Sequence, residues 1–465
     1  MAVPRGSIFG ALLLISIGGL FLWANVDPTV RAWPIIGRFW PILIIFWGLS
    51  KLLDYLVLRG TPEAARAARI SGGDIVLLIF ILLCGTAISR VTQRSFWEGI
   101  GVHVDDEEWV GWFENRYQFT QELEQQIKLP AVLNITNRGN VSVVTHAGDR
   151  LQATIRKTVY APNEEEAGRR AKEIEVVLEP LGAAPGAGYA VRWKRTGKDS
   201  GPVRADIELR VPARLGARIE TRRGDVRVNG LQGDVTVSLE RGEAEISGIR
   251  GSVKVQVRRG SVRVDTVRGD VEIRGRGDEM SVRDIRGAAH IEGEFSGPIR
   301  AANVTGETRF VSRRTNFTAE RIEGELELIR GDFNLRHAAG NVTLLARDKE
   351  IYLDDLVGAV RVENRTGIIR LRFPEPPRDP VEADSRNGDI ELILAANSAF
   401  TLDARTTRGE IASDFTGPGL TLREEKGGAR LTGNYGTGGT NIRLRTRYGT
   451  IRLRRATPAA PTPIR

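Results

Sequence analysis

The chain has 465 residues, a net charge of +9 at pH 7 and a single cysteine, Cys84, which excludes a disulfide framework. The basic excess lies after residue 130, because residues 1–130 hold 11 Lys and Arg against 12 Asp and Glu. That excess favours anionic partners, although a mixed and solvated surface is the simpler interpretation. No nucleic-acid-binding motif accompanies it, so nucleic acid is disfavoured as a partner.

Three apolar segments in the first hundred residues are long enough to cross a membrane as helices. Residues 6–26, 39–58 and 75–91 are rich in Leu and Ile and nearly free of charge. A bilayer core about 30 Å thick needs about 20 such residues. The first segment could instead be a cleaved signal peptide, but no small-residue cleavage pattern follows it. The sequence therefore predicts a three-helix transmembrane region over residues 1–95.

Basic residues predict the orientation of these helices. The connection between the second and third apolar segments, together with the end of the second segment, is rich in cationic side chains: Lys51, Arg59, Arg66 and Arg69. Because basic connections favour the cytoplasmic side, this connection is predicted to be cytoplasmic. Three spans then place everything after residue 91 outside the cell. The predicted localisation is the cell membrane, as a multi-pass protein whose larger part is extracytoplasmic.

Two further segments separate these helices from a region of repeats. Residues 96–130 are predicted to form a juxtamembrane connector. Residues 131–223 contain strands and one helix near Asn163–Ile174, for which Asn163 is the expected N-cap. Because a terminal repeat must cover the open end of a stack, residues 131–223 are interpreted as the start and cap of the repeat region.

Glycine recurs every nine residues from residue 224 to residue 269 and, after skipped steps and short slips, again as far as Gly367, and this period predicts a solenoid over residues 224–455. The first run is Gly224, Gly233, Gly242, Gly251, Gly260 and Gly269. Alternate units carry an aliphatic residue two positions before the glycine, so the full pattern has an 18-residue period. One coil is therefore expected to contain two short strands and two glycine turns.

The 18-residue register predicts which side chains face inward. One inward column is Val228, Ile246, Val264 and Val282, and another is Val237, Val255, Ile273 and Ile291. Neighbouring outward positions hold mixed charge, as at Arg263, and a slip of one residue would bury those charges. The expected fold class is mainly β: a parallel β-solenoid of 18-residue coils, preceded by three transmembrane α-helices.

Two segments interrupt or end the predicted stack. Residues 373–380 contain four prolines, which exclude a central strand and predict a loop. Residues 456–465 are rich in Pro, Ala and Thr and are expected to form a disordered tail.

The repeat pattern resembles that of a known family. Between Leu133 and Leu453, the motif NITNRGNV at Asn134–Val141, the pair Val211–Pro212 and the Gly-Asp-Val repeats resemble the bacterial adhesin-like toast-rack β-solenoid family. Residues 8–58 resemble a LiaF-like transmembrane region through the stretch WPILIIFWGL that begins at Trp40. The resemblance implies an envelope-anchored sensor, scaffold or adhesive surface, and it supplies no catalytic residues.

Repeat aspartates are candidates for a metal site, but their spacing does not favour one. The residues that directly follow a repeat glycine include Asp225, Asp234, Asp270, Asp332 and Asp389. Calcium-binding nonapeptide repeats need several glycines per unit and place Asp two positions after a glycine. Asp in such a turn more often hydrogen-bonds its own backbone, so no calcium is predicted.

Polysaccharide-active enzymes use clustered carboxylates as catalytic acids. The nearest candidates for that role in this sequence are Asp354, Asp355, Asp384 and Asp389. Such clefts usually also carry aromatic platforms, and Trp193 is the only tryptophan after residue 112. No metal-ligand spacing relates the four histidines, His103, His146, His290 and His337. Because no Ser-His-Asp set or phosphate loop occurs either, no catalytic, cofactor or metal site is predicted.

The function favoured by the sequence is that of a non-enzymatic, membrane-anchored solenoid acting as an envelope sensor, scaffold or interaction surface. A cell-surface adhesin and a polysaccharide-active β-helix enzyme are the alternatives. The expected partners are the membrane, anionic envelope polymers or lipid headgroups, and partner membrane proteins. No cofactor is expected.

Overall fold

The computed structural model describes residues 115–182, 188–196 and 203–456, together with a few isolated positions nearer the N-terminus. These ranges contain one α-helix, α1 (Glu164–Glu173). Its ten residues are about half of what a transmembrane span needs, and six of them are Glu or Arg. Among the described residues, no helix is long and apolar enough to cross a membrane.

This finding corrects two predictions. The three transmembrane helices of the expected fold class, and the multi-pass membrane localisation built on them, are not supported by the structure. The segments 6–26, 39–58 and 75–91 lie outside the described residues except at isolated helical positions, and so does the tail from residue 457. Of the predicted connector, the part from residue 115 onwards begins with a strand.

Strands make up most of the described chain. The first nine are β1 (Asn115–Gln126), β2 (Ala131–Asn137), β3 (Val141–His146), β4 (Arg150–Ala161), β5 (Ile174–Pro180), β6 (Tyr189–Arg195), β7 (Val203–Pro212), β8 (Leu215–Arg223) and β9 (Val226–Asn229). Those of the regular repeats are β10 (Val235–Arg241), β11 (Ala244–Ile249), β12 (Val253–Val257), β13 (Val262–Val267), β14 (Val271–Gly277), β15 (Met280–Ile285), β16 (Ala289–Phe295), β17 (Ile299–Val304) and β18 (Thr308–Val311).

The remaining strands complete the stack towards the C-terminus. They are β19 (Thr315–Leu328), β20 (Asp332–Asp348), β21 (Glu350–Val357), β22 (Val360–Thr366), β23 (Ile369–Phe373), β24 (Val381–Asn387), β25 (Ile390–Leu394), β26 (Phe400–Arg408), β27 (Ile411–Ser413), β28 (Leu420–Glu425), β29 (Gly428–Tyr435), β30 (Thr440–Tyr448) and β31 (Ile451–Arg455). The proline-rich segment after Phe373 is the loop between β23 and β24.

The strands from β8 to β18 pair as the 18-residue period predicts. Each strand from β8 to β16 is parallel to the strand two places further along the chain, so β10 pairs with β12, β12 with β14, and β11 with β13. Val253 lies opposite Val235 on one side and opposite Val271 on the other, which is the 18-residue step in both directions. One coil therefore consists of two strands, and successive coils are stacked about 4.8 Å apart.

The predicted inward columns form the core of this stack. Val264 is fully buried between Ile246 and Val282, whereas its neighbour Arg263 is exposed. The second column, through Ile273, is buried in the same way. The predicted register is confirmed.

Each regular coil bends at a residue with a left-handed backbone. Gly248 has a φ of 65°, and the residues before and after the bend, Ile246 and Ile249, are both buried in the core. Strict alternation would turn one of them outward, so the additional residue acts as a bulge that restores the inward register. The same left-handed corner recurs at Gly230, Gly248, Thr266, Asp284, Asn303, His337 and Asp355.

Glycine is required at the turns because neighbouring coils touch there. A Cβ on Gly260, whose φ is 136°, would lie 1.7 Å from the carbonyl oxygen of Gly242 in the preceding coil. A Cβ on Gly242 would lie 2.3 Å from the carbonyl oxygen of Gly224. Any side chain at these positions would push the coils apart, which explains the glycine period in physical terms.

The stack is not wholly parallel, and this corrects the predicted parallel solenoid. Strand β19 runs antiparallel to both β17 and β18, and β20 runs antiparallel to β19. Parallel pairing with an 18-residue step resumes from β20 to β21 and β22. Strand β19 therefore occupies one layer of the stack in which the chain runs opposite to its neighbours, and we call it the reversed layer. Its Phe317 packs in the core against Phe333, with 5.1 Å between ring centroids.

Both ends of the stack contain a coil that is out of chain order. Towards the N-terminus, β2 lies between β6 and β8, and β3 lies between β7 and β9. Towards the C-terminus, β30 lies between β24 and β26, and β31 lies between β25 and β27. We call β30 and β31 the closing coil. The antiparallel hairpin of β28 and β29 then covers β26.

Charge favours the observed position of the closing coil. Residues 440–455 include six arginines and no acidic residue. Four of these arginines form ion pairs with acids of the flanking coils: Arg443 with Glu382, Arg445 with Asp403, Arg452 with Asp389 and Arg454 with Glu391. The largely buried Glu391 also pairs with Arg370 at 2.5 Å. A basic coil is thus matched by acids on both sides.

The chain divides into two compact units, and the smaller unit contains α1. The side chain of Asn163 accepts the backbone N–H of Glu166 at 2.9 Å, which confirms the predicted N-cap. At the other end of α1, Lys157 Nζ donates to the carbonyl oxygens of Ala171 and Ile174, and burial lowers the pKa of Lys157. The stack of coils belongs to the larger unit.

Candidate interaction surface

The aspartates that follow repeat glycines link neighbouring coils. The Asp225 carboxylate accepts the backbone N–H of Glu243, one coil further on, at 3.0 Å. The same bond, at 2.8 Å, joins Asp234 to Ser252, Asp270 to Ala288 and Asp389 to Thr450. The sequence predicts bonds to their own backbone, but the in-register turns place the next coil's N–H within reach. Asp332 differs, because it begins β20 and lies near Lys349.

The candidate catalytic acids have separate partners. Those partners are Arg372 for Asp354, His337 for Asp355 and Arg452 for Asp389. Burial raises the pKa of Asp384, and the nearby Glu363 raises it further. The adjacent pair Asp354–Asp355 therefore serves two different contacts. In the described part of the chain, no group of three or more His, Cys, Asp or Glu side chains is arranged to hold a metal ion.

A three-residue cluster joins the reversed layer to the coils that follow it. His337 Nδ1 lies 2.5 Å from Asp355 Oδ2, and His337 Nε2 lies 2.6 Å from Glu323 Oε2. These hydrogen bonds, the one to Asp355 first, raise the pKa of His337. The 18-residue step between His337 and Asp355 is a sequence signal for their contact. Glu323 gives no such signal, because it lies on the strand that runs backwards.

The other histidines and the tryptophan singled out in the sequence lie apart from this cluster. His290 is exposed, with Nε2 3.5 Å from Glu307 Oε1. His146 Nε2 lies 2.6 Å from the carbonyl oxygen of Arg150. Trp193 packs partly buried against the core, and His103 lies outside the described residues.

Many outward charges are neutralised by charges on the same or neighbouring coils. Examples are the pairs Lys254–Glu272, Arg274–Glu272, Arg227–Glu245, Arg263–Glu243 and Arg300–Glu327, at 2.7–3.4 Å. Exposed pairs of this kind contribute about 0–1 kcal/mol each to stability. They do, however, leave little net charge on the faces that carry them.

Three arginines at one turn column are an exception. Arg250, Arg268 and Arg286 stand one coil apart, each directly before a repeat glycine, and all three are exposed. Their side chains form no ion pair or hydrogen bond with any residue that the structure describes. We call these residues the arginine ladder. Its signal in the sequence is an aliphatic residue followed by Arg and Gly, repeated once per coil. This three-residue pattern is not part of any catalytic motif.

The coils define a β-solenoid whose charged exterior includes the arginine ladder. Residues 220–454 match the model of the family Toastrack DUF4097. Because the match covers just over half of the chain, the chain belongs to the Toastrack family, as its repeat pattern predicts. The predicted LiaF-like resemblance concerns residues 8–58, which fall almost entirely outside the described ranges.

Comparison with solved structures gives a distant similarity. A crystal structure of a candidate cell adhesion protein from Clostridium sporogenes aligns with 73% of this chain and 100% of its own chain. The identity is 8% and the TM-score 0.16. No curated protein matches the sequence.

Proposed function

We propose that this protein acts by contact rather than by catalysis, as a solenoid scaffold that binds an anionic polymer along the arginine ladder. The observation that carries the proposal is the absence of any ion-pair partner for Arg250, Arg268 and Arg286 within the described residues. Like charges on coils that stack about 4.8 Å apart, one per coil, repel one another, and a polymer with repeated negative charges would relieve that repulsion.

The surroundings of the ladder support this role. In the same turn column, Asp234 and Asp270 each use a carboxylate oxygen to accept a backbone N–H from the next coil. Their geometry is therefore committed to holding the turns together, while the arginine side chains stay available. The planar guanidinium group matches carboxylate, sulfate and phosphate oxygens with paired N–H donors.

The non-enzymatic part of the proposal rests on the candidate acids. Asp354, Asp355 and Asp389 are each engaged by a cationic or imidazole partner of the stack. A scaffold, an adhesive surface and a stress sensor all need a contact surface of the kind proposed. The identity of the polymer bound in the cell decides between these uses.

The test is retention of the full chain on immobilised heparin, a sulfated polyanion, in a salt gradient. The variant Arg250→Gln/Arg268→Gln/Arg286→Gln should elute at clearly lower salt than the parent protein. A matched control, Arg227→Gln/Arg263→Gln/Arg274→Gln, removes the same charge from paired arginines and should shift elution less. Equal shifts, or no retention of the parent protein, would contradict the proposal. Cleavage of a polysaccharide that depends on Asp354 would contradict its non-enzymatic part.

A further inference from the structure

Two arginines lie against an exposed tyrosine at the turn between the two strands of the closing coil, and a third lies on a neighbouring strand. Tyr448 is 42% exposed and is the last residue of β30. The guanidinium carbons of Arg408 and Arg447 lie 5.4 Å and 5.9 Å from the centre of its ring. Arg386 is exposed on the neighbouring strand β24, directly before Asn387, which lies opposite Tyr448. We call Arg386, Arg408, Arg447 and Tyr448 the arginine–tyrosine corner.

The out-of-order position of the closing coil assembles this corner. Tyr448 lies opposite Asn387 of β24 on one side and opposite Arg408 of β26 on the other. If the coils followed chain order, β24 and β26 would be neighbours, and Tyr448 would lie beyond both. The corner therefore depends on the insertion of β30 between them.

Cation–π contacts hold Arg408 and Arg447 at the Tyr448 ring, and no acid in the described ranges neutralises the charges of the corner. Arg386, Arg408 and Arg447 form no ion pair or side-chain hydrogen bond with any residue in the described ranges. An aromatic ring attracts guanidinium groups through cation–π contact, which leaves their charge and most N–H donors free. The adjacent Arg365 is different, because Asp348 binds it at 3.1 Å. The acids nearest to these arginines along the chain are Asp384, two residues before Arg386, and Glu410, two residues after Arg408.

Buried hydrogen bonds fix the backbone beneath the corner. Thr446 Oγ1 donates to the carbonyl oxygen of Gly388, and Thr406 Oγ1 donates to that of Gly449, both at 2.9 Å. Both threonines are almost fully buried. Strands β26 and β30, which carry Arg408 and Arg447, are thus tied to neighbouring glycine turns, so little ordering of these two strands would accompany ligand binding.

We propose that the arginine–tyrosine corner is a binding site for a phosphate monoester. A monoester presents three acceptor oxygens and a charge of about −1.5 to −2, which suits three guanidinium groups better than the two oxygens of a carboxylate do. This site is separate from the arginine ladder and goes beyond the proposed function, because it takes one compact dianion rather than a polymer. The shared chemistry is the phosphate group, whether free or carried by a larger molecule.

The test is titration of the full chain with glycerol 3-phosphate and inorganic phosphate by calorimetry, with acetate as the carboxylate comparison. Arg386→Gln/Arg408→Gln/Arg447→Gln should weaken glycerol 3-phosphate binding at least tenfold. Arg250→Gln/Arg268→Gln/Arg286→Gln, with the same charge change, should leave it within twofold. Tyr448→Phe keeps the ring and should also stay within twofold, whereas Tyr448→Ala should weaken binding severalfold.

Each outcome decides for or against the site. Tighter binding of glycerol 3-phosphate than of inorganic phosphate would assign the ligand to phosphorylated molecules, and equal binding would assign it to phosphate itself. No phosphate binding, equal binding of acetate, or an equal loss in the arginine-ladder variant would overturn the proposal. Arg386→Gln alone breaks no described ion pair or hydrogen bond, and it should also weaken glycerol 3-phosphate binding. Failure here leaves the heparin result untouched, so the two proposals can be separated.

Discussion

The regular coils from β10 to β18 and the closing coil reach their positions by different means. In the regular coils each strand pairs with the strand one coil further on, 18 residues later up to β16 and 19 residues later at β17 and β18, so neighbours in the stack are also neighbours in the chain. In the closing coil Val381 pairs with Ile442 and Ile390 with Ile451, across an intervening coil and hairpin. The first region is specified by local repetition, and the second by long-range complementarity of charge.

This contrast shows where the chain places its functional chemistry. Regular repetition produces long columns of identical positions, and the arginine ladder is one such column. The closing coil brings together residues that no repeat relates, and the arginine–tyrosine corner is its product. Disturbing the repeat should therefore damage stability most, whereas disturbing the closing coil should damage stability less and the corner more.

The largest effect is expected in the core of the regular coils. Val264→Asp places an unpaired charge at a fully buried position and should lower the free energy of unfolding by about 4 kcal/mol. Arg263→Asp, one residue earlier and exposed, should change it by about 1 kcal/mol or less, mainly through loss of the pair with Glu243. Chemical denaturation of the full chain measures both. Similar losses would contradict the 18-residue register.

Glycine turns come next. Gly260→Ala should cost about 3 kcal/mol, because its Cβ would clash with the preceding coil and its φ is disfavoured for alanine. Gly331→Ala is the matched control, since nothing lies within 4 Å of the added Cβ, and it should change stability by about 0.5 kcal/mol at most. A tolerated Gly260→Ala would show that contact between coils does not require glycine there.

The charges around the closing coil should have a smaller effect. Glu391→Gln leaves Arg370 and Arg454 without their shared, largely buried carboxylate and should cost about 2 kcal/mol. Glu382→Gln, in the exposed pair with Arg443, should cost about 0.5 kcal/mol or less. Thermal unfolding at low salt compares the two variants. Equal and small losses would mean that charge does not hold the closing coil in place.

The smallest expected effect is a pH dependence at the reversed layer. Because hydrogen bonds to Asp355 and Glu323 raise the pKa of His337, the folded state favours the imidazolium form. This stabilisation is fully present below the unfolded pKa of about 6.5 and is lost as the pH rises through the raised folded value. The Tm of the parent protein should therefore fall between pH 6 and pH 8 by about 1 °C more than that of His337→Asn. Parallel pH profiles would exclude this contribution.

Local patterns predict the regular coils but not the direction of every strand. Val264, Gly260 and the N-cap Asn163 could be assigned from the sequence, because burial alternation, turn geometry and capping are local. The reversed layer could not, because side chains alternate between faces whichever way a strand runs. Val304 and Ile322 are one 18-residue period apart and fit the repeat, yet they are antiparallel partners.

The candidate sites divide in the same way. The arginine ladder follows the 18-residue period and is visible in the sequence once the coil is known. The arginine–tyrosine corner is not, because Arg386, Arg408 and Tyr448 meet only after the closing coil is inserted. Because residues 440–455 carry only positive charge, the sequence predicts acidic neighbours for them. No local sequence pattern, however, identifies Glu382 or Glu391 as those neighbours.

The position of the closing coil is the central claim, and disulfide trapping tests it most directly. In the stack, Arg443 lies between Glu382 and Asp403. In a Cys84→Ser background, the cysteine pairs Glu382→Cys/Arg443→Cys and Asp403→Cys/Arg443→Cys should each cross-link on mild oxidation. The pair Glu382→Cys/Asp403→Cys should not, because two strand spacings, about 9.6 Å, exceed the reach of a disulfide. Efficient cross-linking of Glu382→Cys/Asp403→Cys, without cross-linking of Glu382→Cys/Arg443→Cys, would show stacking in chain order and contradict both the closing coil and the arginine–tyrosine corner.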